Sequence, residues 1–455
     1  MNFKQHYILL DGLRGAAALM VLWYHVFEGF AFAGGTMIET FNHGHLGVDF
    51  FFMLSGFVIS YAYDDRWKTP SRRVAETPSR DVTPVASKQQ STVNGQQSTV
   101  NSQQSTVNSL SIISFFKRRL IRLQPMVVMG AVIGLITYLI QGGVRWDGTA
   151  MSFHWIMMAF FLAIFLIPVH PGAPYDIRGN GEMYPLNGPS WSLFFEYIGN
   201  ILYALFIRKL SNRSLAFLCG ITGILWIAFV TYDISGYDMI GIGWTLDAVN
   251  FCGGLLRMLF PFTLGMLMSR RFADNRQRTI DNSQSAVPEP VEGKVWHFGK
   301  LGDRTIFWLS VIVMFGLFSM PYITKTGGIS LNGIYELLCI ILVFPAIIWF
   351  GASANITNSF TTKLCKFLGD ISYPLYIVHY PVMYLFYSWL IDNELYTLGA
   401  TWYVVLLVIV TNVTLAYACL KLYDEPVRRR LNSELRTKNS RILTKRAASH
   451  SKQLL

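Results

Sequence analysis

Eleven stretches of the chain are dominated by apolar residues, at about 7–27, 46–63, 121–141, 153–169, 191–207, 214–232, 250–268, 305–321, 332–351, 370–391 and 402–421. Several reach the roughly 20 residues that a helix needs to cross the hydrocarbon core of a bilayer. The segments between them are polar or charged. The pattern therefore predicts an all-α polytopic membrane protein. The first stretch carries Arg14 and His25, and no small-residue cleavage site follows it. It reads as a retained helix rather than a signal peptide.

Positive charge decides how many of the stretches cross. Lys and Arg accumulate on the cytoplasmic side of membrane proteins. If 153–169 does not span, and the N-terminus is cytoplasmic, the other ten stretches alternate so that 33 of the 38 Lys and Arg fall on the inner side. The outer loops then hold only Arg145, Arg178 and Lys325, while Arg14 and Arg257 sit within spans. Were 153–169 to span, the 22 inner charges that follow Arg178 would all move outside. Ten transmembrane helices with both termini cytoplasmic are expected. Residues 153–169 are left as a re-entrant or interfacial element, which needs burial in protein or a cavity to line.

Composition agrees, with 52% hydrophobic and only 14% charged residues, against about 25% charged in soluble domains. The net charge of +11 is explained by its inner-side location rather than by a nucleic-acid partner. The five cysteines lie in or beside apolar segments and form no CxxC pair, which argues against a disulfide framework or a metal site. The membrane domain covers 5–431. Within it, 65–111 is rich in Ser, Thr, Gln and Pro and repeats Gln-Gln-Ser-Thr-Val-Asn three times at a seven-residue period, starting at Gln89, Gln96 and Gln103. It lacks the apolar positions to fold alone and is expected to be a disordered cytoplasmic insertion. Residues 272–298 are expected to form a polar cytoplasmic loop, and 432–455 a basic tail able to lie on anionic lipid.

Ionisable residues at membrane depth are costly and mark functional sites. Arg14 and His25 are eleven positions apart on one helix, so they differ by only about 20° in direction and by roughly 17 Å along the axis. Asp49 opens the second span at its outer end, and Glu196 lies about two turns inside the outer end of the fourth. Topology thus puts His25, Asp49 and Glu196 at similar depth, with Arg257 and His379 deeper. A histidine beside a carboxylate in a water-poor site suits general-base catalysis, and an arginine below it can hold a phosphate or a carbonyl oxygen. Structural roles account for several of these residues as well. Arg14 can pair with Asp11, Asp49 can cap its helix, and Glu196 with Arg257 can form a buried ion pair. The run Lys117, Arg118, Arg119 and Arg122 anchors the third span and also suits the phosphates of a nucleotide-bearing donor. Trp146, Trp155, Tyr175, Tyr184 and Trp244 are expected on the outer side, as interfacial aromatics or as sugar-stacking rings.

Taken together, these motifs resemble the acyltransferase 3 family of integral membrane acyltransferases. Leu10-Asp11-Gly12-Leu13-Arg14 followed by ten residues and His25 is similar to its opening signature. Gly47 through Phe57, which includes Asp49 and Ser55, looks like its second motif. Lys117-Arg118-Arg119 through Pro125, then Asn187-Gly188-Pro189-Ser190-Trp191-Ser192-Leu193 with Glu196, then Leu368 through Pro381 with His379, match three more in order. The insertion at 65–111 is longer than the family's usual link, and no hydrolase-like domain follows the last helix. The resemblance implies ten helices and acyl-CoA, in particular acetyl-CoA, as donor substrate rather than a tightly bound cofactor. It further implies O-acylation of a carbohydrate or glycolipid of the cell envelope, and a place in the bacterial plasma membrane. His25 is implied as the central catalytic residue, with Arg14 beside it. Asp49 or Glu196 is expected to orient His25, and Lys117, Arg118, Arg119 and Arg122 to bind the donor. Ser55, Trp191, Arg257 and His379 are substrate or structural candidates. An acyl-histidine intermediate competes with direct transfer. The rival class is an exporter of a polysaccharide or lipid precursor, against which no paired halves with broken helices are visible.

Overall fold

A computed structural model of the chain describes residues 7–34, 41, 43–67, 110–285, 302–354, 356, 358–435 and 437. These residues form helices and loops with no β-strand, only isolated bridges. The helices are α1 (Ile8–Phe32), α2 (Leu46–Trp67), α3 (Ile112–Ile140), α4 (Phe153–Ile164), α5 (Ser190–Leu205), α6 (Asn212–Thr231), α7 (Ala248–Ser285), α8 (Asp303–Phe318), α9 (Leu331–Leu338), α10 (Phe344–Ser353), α11 (Ser359–Asn393) and α12 (Leu398–Cys419). A π-turn over Cys339–Val343 joins α9 to α10 into one apolar rod, and another over Leu420–Asp424 prolongs α12. The chain is an all-α, multi-pass membrane protein. Eight of the helical segments among the described residues are long and apolar enough to cross a bilayer.

Two further helices stand upright in the same bundle. α11 runs parallel to α1, because Arg14 meets Gly369 and His25 meets His379 and Tyr380. Its 35 residues carry Pro374 and Pro381, so its apolarity is diluted rather than its length. α8, of 16 residues, rises to the level where the Phe318 carbonyl accepts from the His43 amide. These two coincide with the stretches at 305–321 and 370–391, the remaining two of the ten expected spans, but among the described residues eight helical segments meet the length and apolarity of a span. The end bearing Arg14 is called lower here and the end bearing His25 upper.

Helix approach is set by small residues. A Cβ at Gly15 would fall 2.2 Å from the Leu368 carbonyl oxygen of α11, and one at Gly56 1.9 Å from the Phe262 carbonyl oxygen of α7. Only glycine lets these backbones touch, which is how helices gain packing in lipid, where burial of apolar surface supplies no drive.

α4 is re-entrant. Twelve residues make about 18 Å of helix, too short for a core of roughly 30 Å. It descends along α3 until the Ile164 carbonyl accepts from the side chain of Gln124, in the middle of α3. Leu166 then turns the chain in the left-handed region, at φ 52°, and the backbone climbs back. Val169 donates its N–H to Met183 O, and the Tyr184 hydroxyl closes on Leu166 O, each at 2.8 Å.

α3 begins well before the apolar stretch at 121–141, so the basic run is helical and its side chains have defined directions. The stretch 272–298, expected as a loop, is helical as far as Ser285, where α7 ends. Helix likewise continues past Leu420–Asp424 through residue 435, into the expected tail. Most of the 65–111 insertion, the remainder of 272–298 and most of 432–455 lie outside the described residues.

Candidate active site

His25 is on the α1 face that packs against α11, and its carboxylate partner is Glu28, one turn further along the same helix. His25 Nδ1 lies 2.6 Å from Glu28 Oε2. The same oxygen accepts from the Tyr387 hydroxyl at 2.9 Å and from Tyr380 at 3.4 Å. Tyr387 also donates to the His25 carbonyl at 2.9 Å. With Nδ1–H donated to Glu28, the lone pair sits on Nε2. A carboxylate that holds the imidazole tautomer and stabilises the imidazolium is the arrangement of a general-base dyad. Tyr380 packs edge-on against the ring at 4.8 Å, and the His379 ring lies 5.1 Å away.

The dyad faces an upper cavity of about 410 Å³. Its walls include Phe32, Trp146, Trp244, Tyr380 and Tyr384, with Asn180 and Glu182 as further polar groups. Trp155 packs instead on Tyr175, and Tyr184 is buried with its hydroxyl satisfied. Two loops roof the cavity. Glu182 bridges to Thr245, and Met183 N–H donates to Trp244 O at 2.8 Å. Arg178, counted in the sequence only as an outer charge, is buried under this roof. Its guanidinium sits 3.5 Å from the centre of the Tyr384 ring and donates to Gln141 Oε1 at 3.0 Å. Tyr384 in turn donates to Glu182.

Burial raises the Glu182 carboxyl from 4.5 to about 7, with the Tyr384 hydroxyl and Arg178 opposing the rise. A raised carboxyl binds its proton more tightly folded than unfolded. Its folded-state advantage is present below pH 4.5 and is lost as pH rises toward 7. The loss amounts to roughly 3 kcal/mol. Thermal melts in detergent from pH 5 to pH 8 should therefore show the wild type losing stability relative to Glu182→Gln. A difference between the two that does not change with pH would refute this.

A lower cavity of about 120 Å³ lies beneath, lined by Asp11, Arg14, Arg119, Arg122 and Glu196 among apolar residues. Arg14 is held by α11: Nε donates to Ser372 Oγ at 2.8 Å and one terminal nitrogen to Gly369 O at 3.0 Å. Asp11 is 3.4 Å away, so the local pairing with Asp11 is present together with the contacts to α11. Arg119 is buried, and Arg122, one turn further along α3, is exposed but borders the cavity. Lys117 and Arg118 are exposed and do not line the cavity.

The structure does not bring Asp49 or Glu196 to His25. Asp49 binds Arg257 through both carboxylate oxygens, at 3.0 Å and 2.8 Å. Arg257 spends its other donors on Ile242 O and His45 O and lies over the Trp191 ring at 5.0 Å. Glu196 pairs with Arg119 at 2.7 Å and accepts from Ser55 Oγ at 3.0 Å. The ion pair expected between Glu196 and Arg257 is thus two pairs, at different levels. The expected depths fail as well: Glu196 lines the lower cavity with Arg14, while Arg257, expected deeper, lines the upper cavity with His25, and the His379 ring lies 5.1 Å from that of His25. Trp191 lines the upper cavity and Ser55 the lower. His379 is buried, with Nδ1 2.9 Å from Tyr376 O, and its Nε2 has no partner. No cluster of three or more His, Cys, Asp or Glu able to hold a metal occurs among the described residues.

Residues 7–421 match the family model described as "Acyltransferase domain". The chain belongs to the acyltransferase 3 family. It is similar to "Protein 2 in picA locus" of Rhizobium radiobacter, 26% identical over 211 residues, which are 44% of this chain and 82% of that protein. No solved structure matches. Family membership makes this acyltransferase the frame for the two stacked cavities. One carries the His25–Glu28 dyad, and the other carries Arg14 with two further arginines.

Proposed function

We propose that this acyltransferase moves an acyl group, acetyl by preference, from acyl-CoA at the Arg14 end to a hydroxyl of a carbohydrate or glycolipid at the His25 end. The observation that carries the reading is the His25–Glu28 dyad, with Nε2 free, facing a cavity walled by aromatic rings and carboxylates. Flat rings with a few polar groups are the lining that suits a sugar. The lower end is cytoplasmic, in keeping with the Lys and Arg placed there, and the host membrane is a bacterial plasma membrane. Arg119 and Arg122 attract the donor's phosphates, and Arg14 meets the carbonyls of its pantetheine arm. Acyl-CoA is a substrate that comes and goes, not a resident group.

In the transfer, Nε2 of His25 takes the proton of the acceptor hydroxyl as its oxygen attacks the thioester carbonyl. The C–S bond then breaks, and the thiolate leaves with the proton returned from the imidazolium. Glu28 keeps the ring oriented and offsets its transient charge. Membership in an acyltransferase family favours this over export of the acceptor.

The test follows acetyl-CoA consumption by purified protein in lipid, with a total envelope glycan fraction as acceptor. Acceptor-dependent thioester loss should fall by at least about 10²-fold in His25→Ala. Equal activity in a folded variant would remove His25 from the chemistry. A labelled acyl-enzyme trapped in a single turnover would replace direct transfer by an acyl-histidine route.

A further inference from the structure

The two cavities are separated by a thin partition. Val48 and Tyr376 line both of them, while Ser192 lines the lower and its neighbour Trp191 the upper. Across the partition the Tyr376 hydroxyl and Ser192 Oγ are 2.7 Å apart. Both hydroxyls also reach Pro189 O, Ser192 at 3.0 Å and Tyr376 at 3.4 Å. Phe51 packs edge-on against the Tyr376 ring at 5.6 Å. The latch therefore joins α11 to the start of α5. Tyr376 lies between Pro374 and Pro381, where α11 lacks two backbone donors and bends more readily. Arg14 and Ser372 stand just below the partition, with His25 and His379 just above.

The geometry points to Tyr376 and Ser192 as the throat between the donor and acceptor cavities, and as the residues that limit the length of the transferred acyl chain. The inference rests on the acyl-transfer reading. A thioester entering from the Arg14 end meets Nε2 of His25 only after the Tyr376 ring swings away from Ser192. A two-carbon acyl group asks for a small opening. A longer chain must displace the ring further, against Phe51 and Val48. The partition also keeps water and ions from running between the two cavities when no donor is bound.

One measurement reads the throat without turnover. Asn180 lines the upper cavity, so Asn180→Cys places a thiol above the throat. A cationic methanethiosulfonate reagent is added at the Arg14 side of sealed inside-out vesicles, and modification is read on the peptide carrying residue 180. Labelling should be slow with the pair intact and about ten-fold faster when Tyr376→Ala or Ser192→Ala is added; Ser192→Ala serves if the larger truncation fails to fold. A second measurement compares acetyl-, butyryl- and hexanoyl-CoA. The preference for acetyl over hexanoyl should fall by about ten-fold in Tyr376→Ala, the scale at which pockets sort chain lengths. Fast labelling with the pair intact, labelling unchanged by both variants, or an unchanged chain-length profile would overturn the inference. If labelling responds as expected while no variant and no wild type consumes any thioester, the throat stands and the acyl-transfer reading falls.

Discussion

Glu28→Gln lowers acceptor-dependent turnover by about 10²–10⁴-fold and leaves the KM for the donor nearly unchanged. Glutamine keeps the length and shape of the side chain, and Tyr380 and Tyr387 can still donate to its carbonyl oxygen. Two things are lost. The negative charge that stabilises the imidazolium during proton transfer is gone. The amide can also turn its NH2 toward His25 Nδ1, which forces the proton onto Nε2 and removes the base. Neither loss touches donor binding on the reading proposed above, which puts the donor's phosphates at Arg119 and Arg122, residues of the other cavity. Hence the effect falls on kcat. Initial rates at saturating acetyl-CoA, with protein of matched melting temperature, check the prediction. A variant with wild-type kcat would mean that His25 does not work through Glu28, and a change confined to KM would make Glu28 a binding residue.

The pairing of His25 with Glu28 shows where a sequence is legible and where it is not. That Arg14 and His25 share one face follows from helical periodicity alone, and α11 is found packed along that face. The all-α frame of apolar helices, and an α4 too short to span, follow from apolar length and the distribution of Lys and Arg. Glu28 was missed because the apolar stretch was closed at residue 27, although a His-x-x-Glu spacing on a helix was there to see. Its place in a hydrogen-bonded cluster appears only when Tyr380 and Tyr387 arrive from α11, more than 350 positions away. Asp49 and Glu196 were proposed from depth. Topology gave the depth only coarsely, since Glu196 lies a cavity lower than His25, and it does not give azimuth, which sends Asp49 to Arg257 and Glu196 to Arg119. Among the four basic residues, the helical register of α3 selects Arg119 and Arg122 over Lys117 and Arg118. Arg178 and Glu182 sit in a loop with no periodicity, so nothing local announced that they would be buried together.

Asp49 and Arg257 supply the other large effect, on folding rather than on catalysis. Their side chains are 0% and 2% exposed, and the carboxylate meets the guanidinium through both oxygens. Removing one partner strands a buried charge, so Asp49→Asn and Arg257→Met should each destabilise by about 3–5 kcal/mol. The double variant Asp49→Asn with Arg257→Met strands no charge and should be more stable than either charge-stranding single change. Recovery will be incomplete, because Ile242 O and His45 O lose their donor, at about 1–3 kcal/mol for each unsatisfied group. Unfolding free energies measured by steric trapping in detergent give the cycle. A double variant as unstable as the sum of the singles would show that the pair is not coupled. Turnover per folded molecule then separates this role from the one depth suggested. If Asp49 acted on His25, Asp49→Asn would cut kcat without shifting stability; as the partner of Arg257 it does the reverse, since the carboxylate that His25 needs is one turn away on its own helix.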